Sequence, residues 1–297
     1  MTRSRDGIER RRLAWRGGVV IAGLALVLPG GGPGSRARAG PGATGQRLDV
    51  VLTFDDGPIP ESLGRDTETE RVLNLLSARG IRAAFFVQIY ARDAEGTGRF
   101  IRANTPGGVA LLRRMHAEGH VIGIHSASYE HHPDHTTRVD GAGDPSDPLW
   151  QDFNWRLEDT LGRRGVHWLA GVTGLRTEFV RPCFGSYNAG VSDVYRAFGL
   201  KNILWDVDPR DWDGDLTLDD VAGLLRAQLR GAAEARDGDV VVIFHDVIPR
   251  IADNLEALLD AIAEGAQAGG ATAVFARDAP TVRRVLREWW NAHPEVH

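Results

Sequence analysis

Leu48-Asp49-Val50-Val51-Leu52-Thr53-Phe54-Asp55-Asp56-Gly57-Pro58 decides how this chain is read. The apolar run 48–52 has the pattern of a buried strand. Gly57-Pro58 marks a turn, so two adjacent carboxylates stand where the strand ends. Neighbouring side chains on an extended backbone point in opposite directions. Asp55 and Asp56 can therefore take different tasks, one ligating a metal and the other holding a proton. The same residues also fit a solvated Asp-Gly turn, and the rest of the chain decides between the two.

Outward from this strand, two kinds of segment alternate. The pattern predicts strands over 48–53, 83–87, 121–124, 178–181, 202–205, 240–244 and 272–275. It predicts helices over 68–79, 108–118, 149–162, 189–198, 218–234, 251–268 and 280–290. In the first helix Val72, Leu73, Leu75 and Leu76 share a face, and Gly80 stops it. Repeated βα units argue for a parallel α/β sheet or barrel. In such folds the chemistry gathers where strands end. Asp55, Asp56, His125, Arg181, Asp208, Asp211 and His245 all lie at predicted strand ends, which a parallel fold brings to one face. Residues 127–150, rich in His, Asp, Gly and Pro, read as an unusually long loop.

The chain has 297 residues, 42% of them hydrophobic and 25% charged, an ordinary globular balance able to bury a substantial core. The first 39 residues differ from the rest. Arg10-Arg11-Arg12 precedes an apolar run over 17–29, and a Gly/Pro/Ser/Arg stretch ends at Ala37-Arg38-Ala39. This is the layout of a secretory signal, and the paired arginines also fit twin-arginine export. The apolar run is short beside the ~20 residues of a membrane span. An uncleaved anchor is the other reading. The expected organisation is a signal peptide over 1–39, a linker over 40–47 and one catalytic domain over 48–290. Without residues 1–39 the chain holds 27 basic and 38 acidic residues, a net charge of −11 against −5 for the whole. That balance argues against nucleic acid or an anionic lipid surface as partner, and no stable membrane span is expected after processing. Cys183 is the single cysteine, so no intramolecular disulfide forms. With no histidine beside it in sequence to activate the thiol, it reads as a packing residue.

Four histidines fall close together at 125, 131, 132 and 135. Asp56 with two such imidazoles would form a three-ligand site with open positions for water and substrate, as a catalytic metal requires. A solvated polar loop is the plainer alternative. Arg181 ends another strand, where its guanidinium can fix a carboxylate. In Asp208-Pro209-Arg210-Asp211-Trp212 the carboxylates can orient a histidine and the indole can wall a sugar pocket; the alternative is an ordinary Asp–Arg pair. His245 stands at the mouth of the clearest strand, and alone it reads as readily as structural.

Taken in order and spacing, these segments resemble the motifs of the polysaccharide deacetylase family, also called the NodB-homology or carbohydrate esterase family 4 domain. Thr53-Phe54-Asp55-Asp56-Gly57-Pro58 matches the first motif in full. Arg181-Pro182-Cys183-Phe184-Gly185 matches the arginine-proline motif, with Cys183 where proline is commoner. Asp208-Pro209-Arg210-Asp211-Trp212 matches the Asp-x-x-Asp-Trp motif, and His245-Asp246 ends the last one. The resemblance covers roughly residues 48–276. One departure stands out. The family spaces its two metal histidines four apart, where this chain has Tyr129. His131 and His132 come next, and Pro133 follows His132 as proline often follows the family's second ligand. The resemblance thus favours His132, with His131 close behind, at the expense of a local insertion of two or three residues.

The resemblance implies an irregular (β/α) barrel of about seven parallel strands in a single domain. It implies a metal-dependent amide hydrolase in which Asp56, His125 and His132 (or His131) bind a divalent metal, zinc foremost. Asp55 would be the general base, held by Arg181. His245 would be the general acid, oriented by Asp211. The metal and a backbone N–H near Phe184 would stabilise the oxyanion, while Phe184, Trp212 and Ile243 would line the substrate pocket. The expected partner is an acetylated polysaccharide or oligosaccharide outside the cytoplasm: peptidoglycan, a chitin-like polymer or an exopolysaccharide. Cleavage of O-acetyl esters as on xylan, hydrolysis of a non-sugar amide, and an inactive carbohydrate-binding domain are the competing readings. The intact set of Asp55, Asp56, Arg181, Asp211 and His245 speaks against the last, because a pure binder needs neither acid nor base.

Overall fold

Strand β1 runs Gln46–Asp55, longer at both ends than its apolar stretch. The extra length comes from ladder bonds that hydropathy does not register. Its first half pairs with β7 (Ala271–Phe275), its last three residues with β2 (Ala84–Val87), and the opposite edge with β6 (Asp239–His245). The computed structural model describes residues 46–60, 66–89, 103–125, 165–182, 185, 187, 189–235 and 238–297. The helix expected over 149–162 lies outside these.

Within them, β3 (Val121–Ile124), β4 (Phe179–Val180) and β5 (Lys201–Asn202) complete a seven-stranded sheet in the order β5-β4-β3-β2-β1-β6, with β7 beside β1. Every pairing is parallel. Beyond β5 the chain reaches the free edge of β6, where Val207 bridges Val242. The sheet thus curls towards closure as an irregular barrel. β4 and β5 are shorter than expected. After Asn202 the carbonyls of Ile203 and Leu204 accept hydrogen bonds from Arg181 instead of extending a strand.

The helices are α1 (Glu68–Arg79), α2 (Pro106–Ala117), α3 (His167–Thr173), α4 (Ala189–Ala197), α5 (Leu218–Ala235), α6 (Pro249–Ala268) and α7 (Ala279–Ala292). Only α3, barely two turns long, was not legible from the pattern. α1 starts in a capping box, with Thr67 accepting from the Glu70 N–H and Glu70 accepting from the Thr67 N–H, and stops at left-handed Gly80. α5 packs on α6 at very close range. A β-carbon on Gly265 would stand 2.7 Å from the Arg226 carbonyl oxygen. Among the described residues no helix is long and apolar enough to cross a membrane.

Alternation divides β1 between two cores. Leu48, Val50, Leu52 and Phe54 face the surrounding helices. Val51 points the other way and joins Phe86, Phe179, Ile203 and Val241, where Val282, Val285, Leu286 and Trp289 of α7 cover them. A strand buried on both faces reads as a continuous apolar run, which is why 48–52 shows no polar alternation beyond Asp49. With α7 filling one end of the curled sheet, the carboxyl ends of the strands form the other.

Candidate active site

Register places the polar residues. Asp55 pairs with His245 across β1 and β6, and with Phe86 across β1 and β2. Phe86 pairs with Gly123, so His125, two residues on, shares that face. The His125 N–H donates to Val87 O, and the Arg181 N–H donates to Ile124 O. The strand ends therefore bring Asp55, His125, Arg181 and His245 together on one rim.

Arg181 is fully buried and anchors this rim. Its Nη1 donates to Asp55 Oδ1 at 2.7 Å and to Thr53 Oγ1 at 2.8 Å. Nε and Nη2 donate to the carbonyls of Ile203 and Leu204 at 2.8 and 2.7 Å. The guanidinium lies 4.1 Å over the Phe86 ring and 5.5 Å over that of Trp205. A buried cation is tolerable when its donors are met and a carboxylate balances it, and both conditions hold here.

Asp56 leaves the strand. Its φ is 75°, the left-handed region, and a cis Gly57–Pro58 bond follows. The two aspartates thus diverge through a turn rather than through strand alternation. Asp56 Oδ1 accepts from Gln88 Nε2 at 2.7 Å and lies 3.3 Å from His125 Nε2. Burial works against its charge, but a protonated His125 ring, through its hydrogen bond and charge and helped by His245 and Gln88, holds the Asp56 carboxyl down at about 2.

His125 is buried and fixed by its other nitrogen. Nδ1 lies 3.0 Å from the Arg181 carbonyl, which can only accept, so Nδ1 carries the proton. On a neutral ring, Nε2 then presents its lone pair to Asp56 Oδ1. Two acceptors at 3.3 Å call for a proton or cation beside them. A backbone carbonyl fixing one imidazole nitrogen while the other faces a carboxylate is the support that metal-binding histidines use. Nitrogen and oxygen donors of this kind suit zinc. Asp56 and His125 therefore fit a divalent cation. Among the described residues no third His, Cys, Asp or Glu joins them. His131 and His132, the expected third ligands, lie outside the described residues, as do Phe184 and Cys183.

His245 ends β6 and is held by buried Asp211. Its ring Nδ1 stands 2.7 Å from Asp211 Oδ1, and its backbone N–H donates to Asp211 Oδ2 at 2.8 Å. Burial alone would lower its pKa, but the charge and hydrogen bond of Asp211, with Asp56 and Asp55 beyond, push it up to about 10. The ring is an imidazolium at neutral pH. Arg250 on α6 steadies the 211–216 loop by donating to the carbonyls of Asp211, Asp213 and Leu216.

Asp208 does not share this work. Its Oδ1 accepts from the Arg210 N–H at 2.7 Å and shapes the turn in which Arg210 takes a φ of 55°. Trp212 is 44% exposed, with the Arg210 guanidinium 5.8 Å from its ring. Ile243 is buried, paired with Thr53 on the face of Asp55 and His245. The site also uses two residues that the sequence did not single out. Thr53 accepts from Arg181 and donates to Val242 O, and Gln88 donates from Nε2 to Asp56 Oδ1. Gln88 follows the apolar stretch 84–87, so a polar residue at a strand end was the available signal.

This rim holds a carboxylate pinned by arginine, an imidazolium pinned by a second carboxylate, and an Asp–His pair suited to a cation. It has the parts for acid–base hydrolysis of a carbonyl compound. Residues 43–203 match the family model described as polysaccharide deacetylase. The chitooligosaccharide deacetylase of Rhizobium leguminosarum bv. trifolii is 26% identical over 201 residues, 68% of this chain and 73% of the relative. The peptidoglycan-N-acetylmuramic acid deacetylase of Bacillus subtilis is 27% identical over 216 residues, 72% of this chain and 65% of the relative. The solved chitin deacetylase of Colletotrichum lindemuthianum shares the fold, with a TM-score of 0.52 at 23% identity, covering 84% of this chain and 93% of that one.

Proposed function

The chain belongs to the polysaccharide deacetylase family, hydrolases of non-peptide carbon–nitrogen bonds, and on that premise we propose that it removes N-acetyl groups from an amino-sugar polymer outside the cytoplasm. The observation that carries this reading is the adjacency of Arg181–Asp55 and Asp211–His245 in neighbouring, in-register strands. Asp56 and His125, joined by His132 or His131, would hold a divalent cation, zinc first. Bound there, such an ion supplies Lewis acidity, polarising a carbonyl and acidifying water.

The chain's own groups do the proton work. Asp55, fixed through one oxygen by Arg181, takes a proton from the water that attacks the acetamide carbon. His245 delivers its Nε2 proton to the departing nitrogen as the carbon–nitrogen bond breaks, releasing acetate and a free amine. Asp211 keeps that ring protonated and aimed. Trp212 and Ile243 line the acetyl pocket, and a backbone N–H near Phe184 helps stabilise the oxyanion. Residues 1–39 serve as the export signal, and the domain over 48–290 acts on a wall or matrix polymer.

Zinc content and acetate release from an N-acetylglucosamine oligomer test the proposal, with His132→Ala and His131→Ala beside the parent. Joint loss of metal and activity in one variant supports it and identifies the third ligand. A parent that releases no acetate from N-acetylated oligomers overturns it.

A further inference from the structure

Asp246 is fully buried one residue beyond His245, and nothing in the proposed chemistry uses it. Its carboxylate lies flat against the backbone of Gly57. A β-carbon on Gly57 would come within 2.2 Å of Asp246 Oδ2, so only glycine lets the two approach. The same Oδ2 accepts a hydrogen bond of 2.6 Å from Thr69 Oγ1 at the start of α1. Thr69 Oγ1 in turn accepts from the Ile59 N–H at 3.0 Å. The relay runs from the backbone just past the Asp56 turn, through a helix hydroxyl, to the strand that carries His245. On the other side Gln88 grips the turn twice, its N–H on Gly57 O at 2.9 Å and its side chain on Asp56 Oδ1.

The turn needs holding because its conformation is unfavourable in isolation. Asp56 is a non-glycine residue at positive φ, a state that persists only where the surroundings enforce it. Gln88 alone restrains one flank. We infer that Thr69 and Asp246 are positioning residues that clamp the 56–59 turn from the other flank and so set the affinity of the Asp56–His125 pair for a divalent cation. The inference rests on the reading of Asp56 and His125 as metal ligands. A hydroxyl is required at 69 because the group must accept from one partner and donate to another at once, which among small side chains serine and threonine do and valine does not.

The test is equilibrium titration of the metal-free full chain with Zn2+ alone, for the parent and for Thr69→Val, Thr69→Ser and Asp246→Ala. Thermal unfolding of each metal-free protein is followed in parallel. Loss of a hydrogen bond made directly to a metal ligand weakens affinity roughly 10–100-fold. Thr69 and Asp246 act through the Ile59 N–H rather than on a ligand itself, so about tenfold, the lower end, is expected for Thr69→Val and Asp246→Ala. Thr69→Ser should return affinity to within about threefold of the parent, whatever its effect on unfolding, because it keeps both hydrogen bonds. Parental zinc affinity in Thr69→Val overturns the inference. So does equal weakening in Thr69→Ser and Thr69→Val, which would trace the effect to packing. Should Asp246→Ala fail to fold, the valine–serine pair still decides. A parent that takes up no zinc removes the metal reading itself, a failure seen in the parent and thus distinct from one confined to the variants.

Discussion

Asp211→Asn isolates the electrostatic control of the proposed acid without changing its size. Asp211 is fully buried, and its two oxygens serve the ring Nδ1 and the backbone N–H of the same histidine. Asparagine offers only one acceptor. The backbone N–H cannot give up its proton, so the amide oxygen must turn towards it and the NH2 towards Nδ1. That arrangement demands an unprotonated Nδ1, a neutral ring with its proton on Nε2. In the parent, Asp211 is the chief reason that His245 is raised to about 10. A return towards the ordinary value near 6.5 corresponds to ~5 kcal/mol of lost preference for the imidazolium. At about pH 8 only ~3% of a group with that pKa is protonated, so kcat should fall ~30-fold from this cause alone. At about pH 6 such a ring is mostly protonated, and the loss from protonation shrinks to less than about twofold. The assay is the pH profile of acetate release by zinc-loaded parent and variant, with the His245 ring followed by NMR. An unchanged alkaline limb in the variant, or the same fractional loss at both pH values, would refute the reasoning.

Other outcomes follow from the same geometry. Arg181→Met strands the buried Asp55 carboxylate and removes the donors to Ile203 and Leu204, so denaturation should show a loss of about 3–5 kcal/mol; a loss under ~1 kcal/mol contradicts the anchoring role. His120 is buried, with Nδ1 accepting from the Ala83 N–H, and burial together with Arg82 lowers its pKa from 6.5 to about 4. Between those values the unfolded chain binds more protons, so this contribution is full above pH 6.5 and is lost as pH falls towards 4, by about 3 kcal/mol at most. His120→Gln should flatten that part of the stability–pH curve, and an unaltered slope would count against it. Gly265→Ala forces a methyl group against the Arg226 backbone and should destabilise the α5–α6 contact by about 1–3 kcal/mol, read from the urea midpoint. Chelation should abolish acetate release and added zinc restore it; full turnover in the chelated protein would exclude a required metal.

The chain's own letters were enough for the parallel α/β pattern and for most of the rim. Parallel strands buried on both faces are apolar throughout, so a polar residue at a strand's carboxyl end stands out, and a parallel sheet sends all such ends the same way. Asp55, His125, Arg181 and His245 were legible for that reason, and Asp211 through its motif. Asp211 and His245 lie beyond the residues matched by the family model, yet β6 returns His245 to the side of Asp55. Tertiary structure alone decided the rest. That α7 would pack on the inner face of the sheet and that Gln88 would hold Asp56 both depend on contacts between distant segments. Thr69 and Asp246 are 177 residues apart and carry no mark of their partnership, because a hydrogen bond is fixed by distance and direction in space. The sequence specifies which groups are available and on which face each strand presents them; only the closed sheet, by bringing strand ends within a few ångströms of one another, turns those groups into pairs with shifted charges.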